Sequence, residues 1–314
     1  MILNIDDSTS GLDEAARPDS LQITVAGTVK LSGRGLHSGR DTRVAIHPAP
    51  EDTGIVFSDG KNTIRGLAAN VVDTSRGTTI GSNGARIRTV EHLMAALRGT
   101  GVDNALVEVL GPEAPALDGS ALPYVEAIDS VGLVELDACR QAVELAEPVW
   151  IQRNGSFVLA VPAPRLRITY VMSYDHPMIG SQSATYVLGA GDFADEIAPA
   201  RTFVIYEEVA DLLENDLARG GSLDNVIVVW RDRLSSQLRL PDELARHKIM
   251  DLVGDLSLVG GLLHAEVLAV KSGHALNVDF AQEVCRVIAK RNQPATQRSA
   301  RNSQLSTLNT QHPS

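Results

Sequence analysis

The alternation of apolar and polar residues predicts a chain of short strands with a few helices between them. In the first half, β-branched residues bounded by glycine, proline or aspartate predict strands in QITVAGTVKLSG, TRVAIHPAP, TGIVFSDG and NALVEVLG. Helical spacing followed by a glycine predicts helices in TVEHLMAALRG and PYVEAIDSVG. This mixture of strands and helices indicates the α+β fold class.

The second half repeats parts of this order. FVLAVPAPRLRITYVMS has the strand–proline–strand order of VAIHPAPEDTGIVFS, and DELARHKIMDLVGDLSLVGG with HAEVLAV has the helix–glycine–strand order of TVEHLMAALRGTGVDNALVEV. A histidine lies early in each of these two helices, at His92 and His247. We therefore predict two related α+β domains of layered sheet and helix. The alternative is that strand–proline–strand recurs by chance.

The predicted organisation has four parts and one insertion. ARTFVIYEEVADLLENDLARGGSLDNVIVV has no counterpart in the first half, and long insertions of this kind are often functional. The polar residues from Asn292 onward cannot bury enough surface to order themselves. The parts are a flexible N-terminal extension (1–20), domain I (21–140), domain II (141–290) with the insertion near 200–230, and a polar, basic, disordered tail (291–314).

Composition narrows the class of protein and its location. Cys139 and Cys285 lie far apart in the sequence, which indicates a reducing compartment rather than a disulfide framework. The acidic start is unlike a signal peptide, and no run of about 18 apolar residues could span a membrane. We therefore expect a cytoplasmic protein. Its net charge of −11 argues against nucleic-acid binding, although a local group of cations could hold a phosphorylated substrate.

The segment ELARHKIMDLVGDL places polar residues on an otherwise apolar helix. His247 and Asp251 are four residues apart and share one face, where an imidazole and a carboxylate suit Zn²⁺. Asp255, one turn further on, could orient a ligand or a catalytic imidazole. The alternative is an ion pair or a helix face turned to water. Burial of an unpaired carboxylate is costly, and a metal ion would remove that cost.

Two other segments supply candidates for the rest of a zinc site. His92 is the best third ligand because it occupies the matching helix of the first half, and Glu91 beside it could take a proton from water. Alternatively, Glu91 begins its helix and favours the helix dipole. In KSGHALN, we expect His274 in a loop after a strand, as a general acid, with Lys271 beside it to meet a phosphate.

Seven segments in one order carry a resemblance to a known family. The chain closely resembles the zinc-dependent UDP-3-O-acyl-N-acetylglucosamine deacetylases of lipid A biosynthesis over roughly residues 22 to 285. The matching segments are GRGLHSGRDTRVAIHPAPEDTGIVF, RTVEHLMAALRGTGVDNALVEV, PALDGSALPYV, ARTF, GGSLDNVIVV, ELARHKIMDLVGDL and KSGHALN.

The resemblance implies roles in metal binding and proton transfer. Glu91 would be the general base that activates water, and His274, held by Asp255, would be the general acid that protonates the amine. The zinc ligands would be His92, His247 and Asp251. Iron(II) could also occupy a site with two histidines and one aspartate.

The resemblance also implies how the substrate is held. Thr202 would help to stabilise the oxyanion, and Lys248 would line the site near the sugar or the phosphates. Lys271 is a candidate for contact with the UDP group, while Phe203 and residues 204–220 would shape an apolar passage for the acyl chain. The family fold has two layered α+β domains with the active site at their interface. The implied partner is a UDP-linked acylated amino sugar, bound by a monomer.

Two alternatives to this function stay open. In DTSRGTTI the chain has Arg76 and Gly77 where the family often has a hydrophobic residue and a cysteine, so the rim of the pocket could differ. A zinc deacetylase of the same fold that acts on another acylated amino sugar is therefore the first alternative. The second is an inactive protein that binds nucleotide sugars or acyl chains.

Overall fold

The computed structural model describes residues 20–291 of the chain. The predicted N-terminal extension (1–20) lies outside the described residues except for Ser20. The predicted tail (291–314) also lies outside them except for Arg291, which is the last residue of a helix. Within residues 20–291, no helix has both the length and the apolar character that a bilayer-spanning segment needs.

The described part of the first half, residues 20–140, contains ten strands and two helices. The strands are β1 (Leu21–Val25), β2 (Val29–Arg34), β3 (Asp41–Pro48), β4 (Ile55–Ser58), β5 (Thr63–Arg65), β6 (Val71–Asp73), β7 (Thr79–Ser82), β8 (Ala85–Ile87), β9 (Ala105–Leu110) and β10 (Leu133–Cys139). The helices are α1 (Glu91–Gly99) and α2 (Leu122–Val131), and a 3₁₀ turn covers Ala68–Asn70. Both helices lie where their sequence pattern predicts them.

Residues 141–291, the part of the second half that the structure describes, contain eight strands and four helices. The strands are β11 (Ala142–Glu144), β12 (Val149–Arg153), β13 (Ser156–Pro162), β14 (Arg167–Ser173), β15 (Ser181–Val187), β16 (Phe203–Ile205), β17 (Ile227–Val229) and β18 (Leu262–Val270). The helices are α3 (Phe193–Glu196), α4 (Val209–Glu214), α5 (Glu243–Ser257) and α6 (His274–Arg291), with a 3₁₀ turn at Tyr206–Glu208. The chain is therefore a mixed α+β protein, as predicted.

The main sheets of the two halves have the same strand order and directions. In the first half the order is β2-β3-β9-β4-β5, and in the second it is β12-β13-β18-β14-β15. In each sheet the central strand, β9 or β18, pairs antiparallel with one neighbour and parallel with the other. In each half a helix precedes the central strand and another follows it: α1 and α2 around β9, α5 and α6 around β18.

Alternating side chains explain why these strands bury one face. In β3, Thr42, Val44 and Ile46 are buried, whereas Asp41 and Arg43 between them are exposed. Successive side chains of a strand point to opposite faces of the sheet, so this pattern places one face of the sheet against the core. The same alternation in β18 makes its buried positions the core of the second sheet.

The chain changes sheets between Cys139 and Ala142. β10 pairs antiparallel with β1, while β11, which follows it closely, pairs in parallel with β18. The insertion predicted near 200–230 contains the parallel pair β16 and β17 and the helix α4. The two strands form a small sheet of their own, separate from the two main sheets.

The expectation that His274 lies in a loop is wrong. β18 ends at Val270, Lys271 adopts a positive φ of 52°, and α6 begins at His274 itself. The backbone N–H of Asn277 donates to the carbonyl of Gly273 at 2.9 Å, which starts the helix immediately after the turn. The three-residue turn is therefore too short to leave His274 outside the helix.

Helix contacts join the two sheets. α5 packs against β14, β15 and β18, α1 packs against α5 and α2, and α2 contacts β2. The approach of α1 to α5 depends on Gly254, because a Cβ at this position would lie 2.1 Å from the carbonyl oxygen of Glu91. No side chain can occupy that space unless one of the helices moves.

We predict that Gly254→Ala destabilises the protein by about 1–3 kcal/mol through overpacking. Replacing glycine by alanine inside a helix otherwise stabilises a protein by up to about 1 kcal/mol. A destabilised variant therefore indicates overpacking, and a stabilised variant indicates helix propensity alone. Gly27→Ala is the control, because its Cβ would meet Val131 at an ordinary 3.6 Å. Denaturant unfolding measures both variants, and a stabilised Gly254→Ala protein would contradict the close approach.

Candidate active site

Three buried side chains from α1 and α5 come together as a group that could hold a metal ion. Their ligand atoms, from His92, His247 and Asp251, all lie within 4.8 Å of one another. His92 Nε2 is 3.7 Å and His247 Nε2 is 3.5 Å from the same oxygen, Asp251 Oδ1. His247 and Asp251 are one turn apart on α5, so the predicted spacing brings them to one face.

The hydrogen bonds around these three residues leave lone pairs free for a cation. Among residues 20–291, Asp251 Oδ1 is buried and has no hydrogen-bond partner, whereas Asp251 Oδ2 accepts from Lys248 Nζ at 2.8 Å. His247 Nδ1 donates a hydrogen bond to the carbonyl oxygen of Ala200 at 3.2 Å. The neutral ring then carries its free lone pair on Nε2. Burial lowers the pKa of His247 to about 3, which keeps its imidazole neutral, the form that ligates metals.

Glu91 is buried beside the metal-binding group. It begins α1, and its carboxylate accepts from the backbone N–H of Thr78 at 2.9 Å. Burial raises its pKa to about 7. A carboxylate with a pKa near neutrality is suited to act as a general base.

His274 faces Glu91 across the same space. Its Nε2 is 3.9 Å from Glu91 Oε1, and its Nδ1 donates to Asp255 Oδ2 at 2.9 Å. Burial lowers the pKa of His274, but the charges of Asp255, Asp251 and Glu91 outweigh it and raise the pKa to about 10. The ring is therefore protonated at neutral pH, with one N–H held by Asp255 and the other directed into the site.

A cavity of about 450 Å³ opens beside these groups. Thr202, Phe203 and Lys248 line it, and Lys248 Nζ lies 5.8 Å above the centre of the Phe203 ring. The insertion supplies most of the apolar wall, which consists of Val204, Val209, Leu212, Leu213, Leu223, Val226 and Val228. The predicted passage residues therefore lie beside the metal-binding group.

Lys271 lies outside this cavity, in a neighbouring depression of about 400 Å³. That depression is lined by four cationic side chains, from Arg76, Arg153, Lys248 and Lys271. Arg76, Lys248 and His274 line both spaces, so the two are adjacent next to the metal-binding group. Although the net charge of the chain is acidic, four cationic side chains thus lie beside the site.

Three residues near the site were not found by sequence reasoning. His37 lines the cavity, and the carbonyl of Arg76 accepts from its Nε2 at 2.9 Å. Thr78 and Asn277 hydrogen-bond to Asp255. Thr78 and Asp255 are 177 positions apart in the sequence, so no local pattern points to their contact. Asn277 lies one helical turn after His274, and this spacing is the signal that could have found it.

The loop that contains Arg76 and Gly77 contacts the insertion. Arg76 lines the cavity and forms an ion pair of 2.8 Å with Glu208, next to α4. A Cβ at Gly77 would lie 3.0 Å from Glu91 Oε1, so glycine leaves room for that carboxylate. Arg76 therefore joins this loop to the insertion at the wall of the cavity.

A buried ion pair anchors the segment that carries Thr202. The Nε and backbone N of Arg201 donate to Glu243 Oε1 at 2.8 and 3.0 Å. Glu243 begins α5 and its side chain is fully buried, so the pair ties the loop before β16 to the helix that carries His247. Thr202 also donates its backbone N–H to the carbonyl of Gly119 at 2.8 Å.

Comparison with known proteins agrees with this arrangement. The profile of the UDP-3-O-acyl N-acetylglycosamine deacetylase family matches residues 22–286. The chain belongs to this family. All ten residues predicted to form the site of this deacetylase family member lie inside the matched range.

Curated relatives extend the similarity over most of the chain. A protein of Oleidesulfovibrio alaskensis is 42% identical over 269 residues, which cover 84% of this chain and 88% of the relative. One of Chlamydia pneumoniae is 41% identical over 275 residues (85% and 98%), and one of Myxococcus xanthus is 43% identical over 277 residues (85% and 88%). Each is named UDP-3-O-acyl-N-acetylglucosamine deacetylase.

We predict that Glu243→Gln destabilises the protein by about 3–5 kcal/mol, because it leaves Arg201 buried without a counter-charge. Asp232→Asn is the matched control: its partner Arg233 and Asp232 itself are mostly exposed, with side chains 63% and 74% accessible. That change should cost less than about 1 kcal/mol. Equal free energies of unfolding for the two variants would contradict an anchoring role for the Arg201–Glu243 pair.

Proposed function

We propose that this protein is a zinc-dependent amidohydrolase that removes the N-acetyl group of UDP-3-O-[(R)-3-hydroxyacyl]-N-acetylglucosamine. The products are UDP-3-O-acyl-glucosamine and acetate, and the reaction is an early step of lipid A biosynthesis. One observation carries the proposal: Glu91 and His274 face each other beside the histidine–histidine–aspartate group, at the end of an apolar cavity. Family membership and the names of the relatives support it.

The metal ligands would be His92, His247 and Asp251. The unpartnered oxygen of Asp251 and the neutral imidazole of His247 fit a divalent cation at this point. When bound there, zinc would lower the pKa of water to about 7 and polarise the amide carbonyl. Two histidines and one carboxylate form a common ligand set of zinc hydrolases, although iron(II) also accepts it.

Proton transfer is assigned to Glu91 and His274, which face each other across the site. Glu91, with a pKa of about 7, takes a proton from the attacking water. The hydroxyl of Thr202 donates to the oxyanion of the tetrahedral intermediate. His274, protonated at neutral pH, gives its Nε2 proton to the leaving amine, and Asp255 holds the ring through Nδ1.

The substrate would lie across both spaces of the site. The acyl chain fits the apolar wall formed by Phe203 and the insertion, since that wall consists mainly of aliphatic side chains. The UDP diphosphate fits the neighbouring depression, where Lys271 and Arg153 provide positive charge. Lys248 lines both spaces and would contact the sugar or the phosphates between them.

We further propose that the two halves are related domains with the active site at their interface. The shared strand order and the equivalent places of α1 and α5 support a duplication, and the change of sheet between Cys139 and Ala142 supports a boundary near residue 140. The cysteines Cys139 and Cys285 are free thiols, which is consistent with the cytoplasmic location that we propose.

We predict that Glu91→Ala and His274→Ala each lower the rate of acetate release by about 10²–10⁴-fold, the usual contribution of general acid–base catalysis. Metal content should stay at the wild-type level in both, because neither residue is a ligand. His47→Ala is the control, since His47 contacts Thr28 and does not line the cavity. Near-normal rates in both variants would show that the assigned mechanism is wrong.

We also predict about one zinc ion per wild-type chain, lost in His92→Ala, His247→Ala or Asp251→Ala. The loss follows because a zinc site of this type has only three protein ligands. Metal analysis after dialysis measures the stoichiometry, with His47→Ala again as the control. Retention of a full equivalent of zinc by all three variants would place the metal elsewhere.

A further inference from the structure

Thr78 makes three hydrogen bonds, and each one reaches the active site. Its backbone N–H donates to Glu91 Oε2 at 2.9 Å, and its hydroxyl donates to Asp255 Oδ1 at 2.6 Å. Its carbonyl accepts from the backbone N–H of Val90 at 3.1 Å, the residue before Glu91. Thr78 is fully buried, so water does not compete for these bonds.

The Asp255 carboxylate is held from both sides. Its Oδ2 accepts from His274 Nδ1 and from Asn277 Nδ2, both at 2.9 Å, while the Thr78 hydroxyl occupies Oδ1. Asn277 lies on α6, one turn after His274, and therefore follows any movement of that helix. Thr78 is the contact that fixes the carboxylate from the opposite half of the chain.

We propose that Thr78 is a positioning residue that ties the general base and the general-acid pair into one rigid unit. The inference rests on the roles proposed above for Glu91 and His274. The Thr78 backbone sets where the Glu91 carboxylate points, and the Thr78 hydroxyl sets the plane of the Asp255 carboxylate. That plane in turn orients the His274 ring, whose Nε2 lies 3.9 Å from Glu91 Oε1.

Loss of the hydroxyl would act on the general acid alone. In Thr78→Val the side chain keeps its shape and the backbone N–H still reaches Glu91, but Asp255 Oδ1 loses its donor. The carboxylate can then rotate, and His274 follows it. Outer partners of catalytic groups in metal sites commonly contribute 10–100-fold to activity, so we expect a kcat at least about 10-fold lower.

The neighbouring Thr79 provides a matched control. It is also buried, in β7, and no hydrogen bond joins its hydroxyl to Glu91 or Asp255. Thr79→Val therefore makes the same chemical change one residue away. Thr78→Ser is the rescue variant, because serine restores the hydroxyl and keeps the backbone contacts.

The experiment measures acetate release, KM, metal content and thermal stability for the three threonine variants. We expect Thr78→Val to lose kcat with KM and metal content unchanged, and Thr78→Ser and Thr79→Val to stay within about 3-fold of wild type. Thr78→Val is then made in a His274→Ala background. It should cause no further loss of kcat there, because Thr78 is proposed to act through His274, which that variant lacks.

Two results would overturn the inference. One is a Thr78→Val enzyme with wild-type kcat. The other is an equal loss in the wild-type and His274→Ala backgrounds, which would assign Thr78 a structural role independent of His274. Failure of the proposed function gives a different result, because the wild-type protein would then release no acetate. Failure of the roles proposed for Glu91 and His274 would leave Glu91→Ala and His274→Ala with normal rates in the same assay.

Discussion

The close approach of α1 to α5 is the constraint on which the site depends. Each half of the chain contributes one helix that precedes the central strand of its sheet, and the metal-binding residues are divided between these helices. Gly254 allows the α5 backbone to lie against the carbonyl of Glu91, one residue before His92. A wider separation would move His92 away from His247 and Asp251, and no single half holds all three ligands.

Burial then gives each polar group of the site its chemistry. Asp255 is fully buried with three hydrogen-bond donors around it, and its charge helps to raise the pKa of His274 against the effect of burial. Burial raises the pKa of Glu91, although His274 Nε2 lies 3.9 Å from its Oε1. The pKa values of Glu91 and His274 thus depend on their neighbours in one buried site. The roles proposed for Glu91 as the base and for Asp255 as the support of the acid follow this arrangement.

The sequence was most informative where local spacing determines geometry. His247 and Asp251 meet because helix periodicity brings residues four apart together, and His92 follows from the repeated order of elements. Contacts between distant segments could not be predicted in this way. The hydrogen bond from Thr78 to Asp255 and the pairing of β10 with β1 depend on tertiary packing, which no local pattern records. The loop expected at His274 was wrong because the length of the turn after β18 is not encoded by apolar periodicity.

The central claim is that deacetylation depends on a metal ion held between α1 and α5. It is tested most directly by acetate release from UDP-3-O-[(R)-3-hydroxyacyl]-N-acetylglucosamine, with chelator-treated protein titrated with zinc. The account predicts no significant activity in the metal-free protein and full recovery at about one equivalent of zinc per chain. Full activity of the metal-free protein would contradict it.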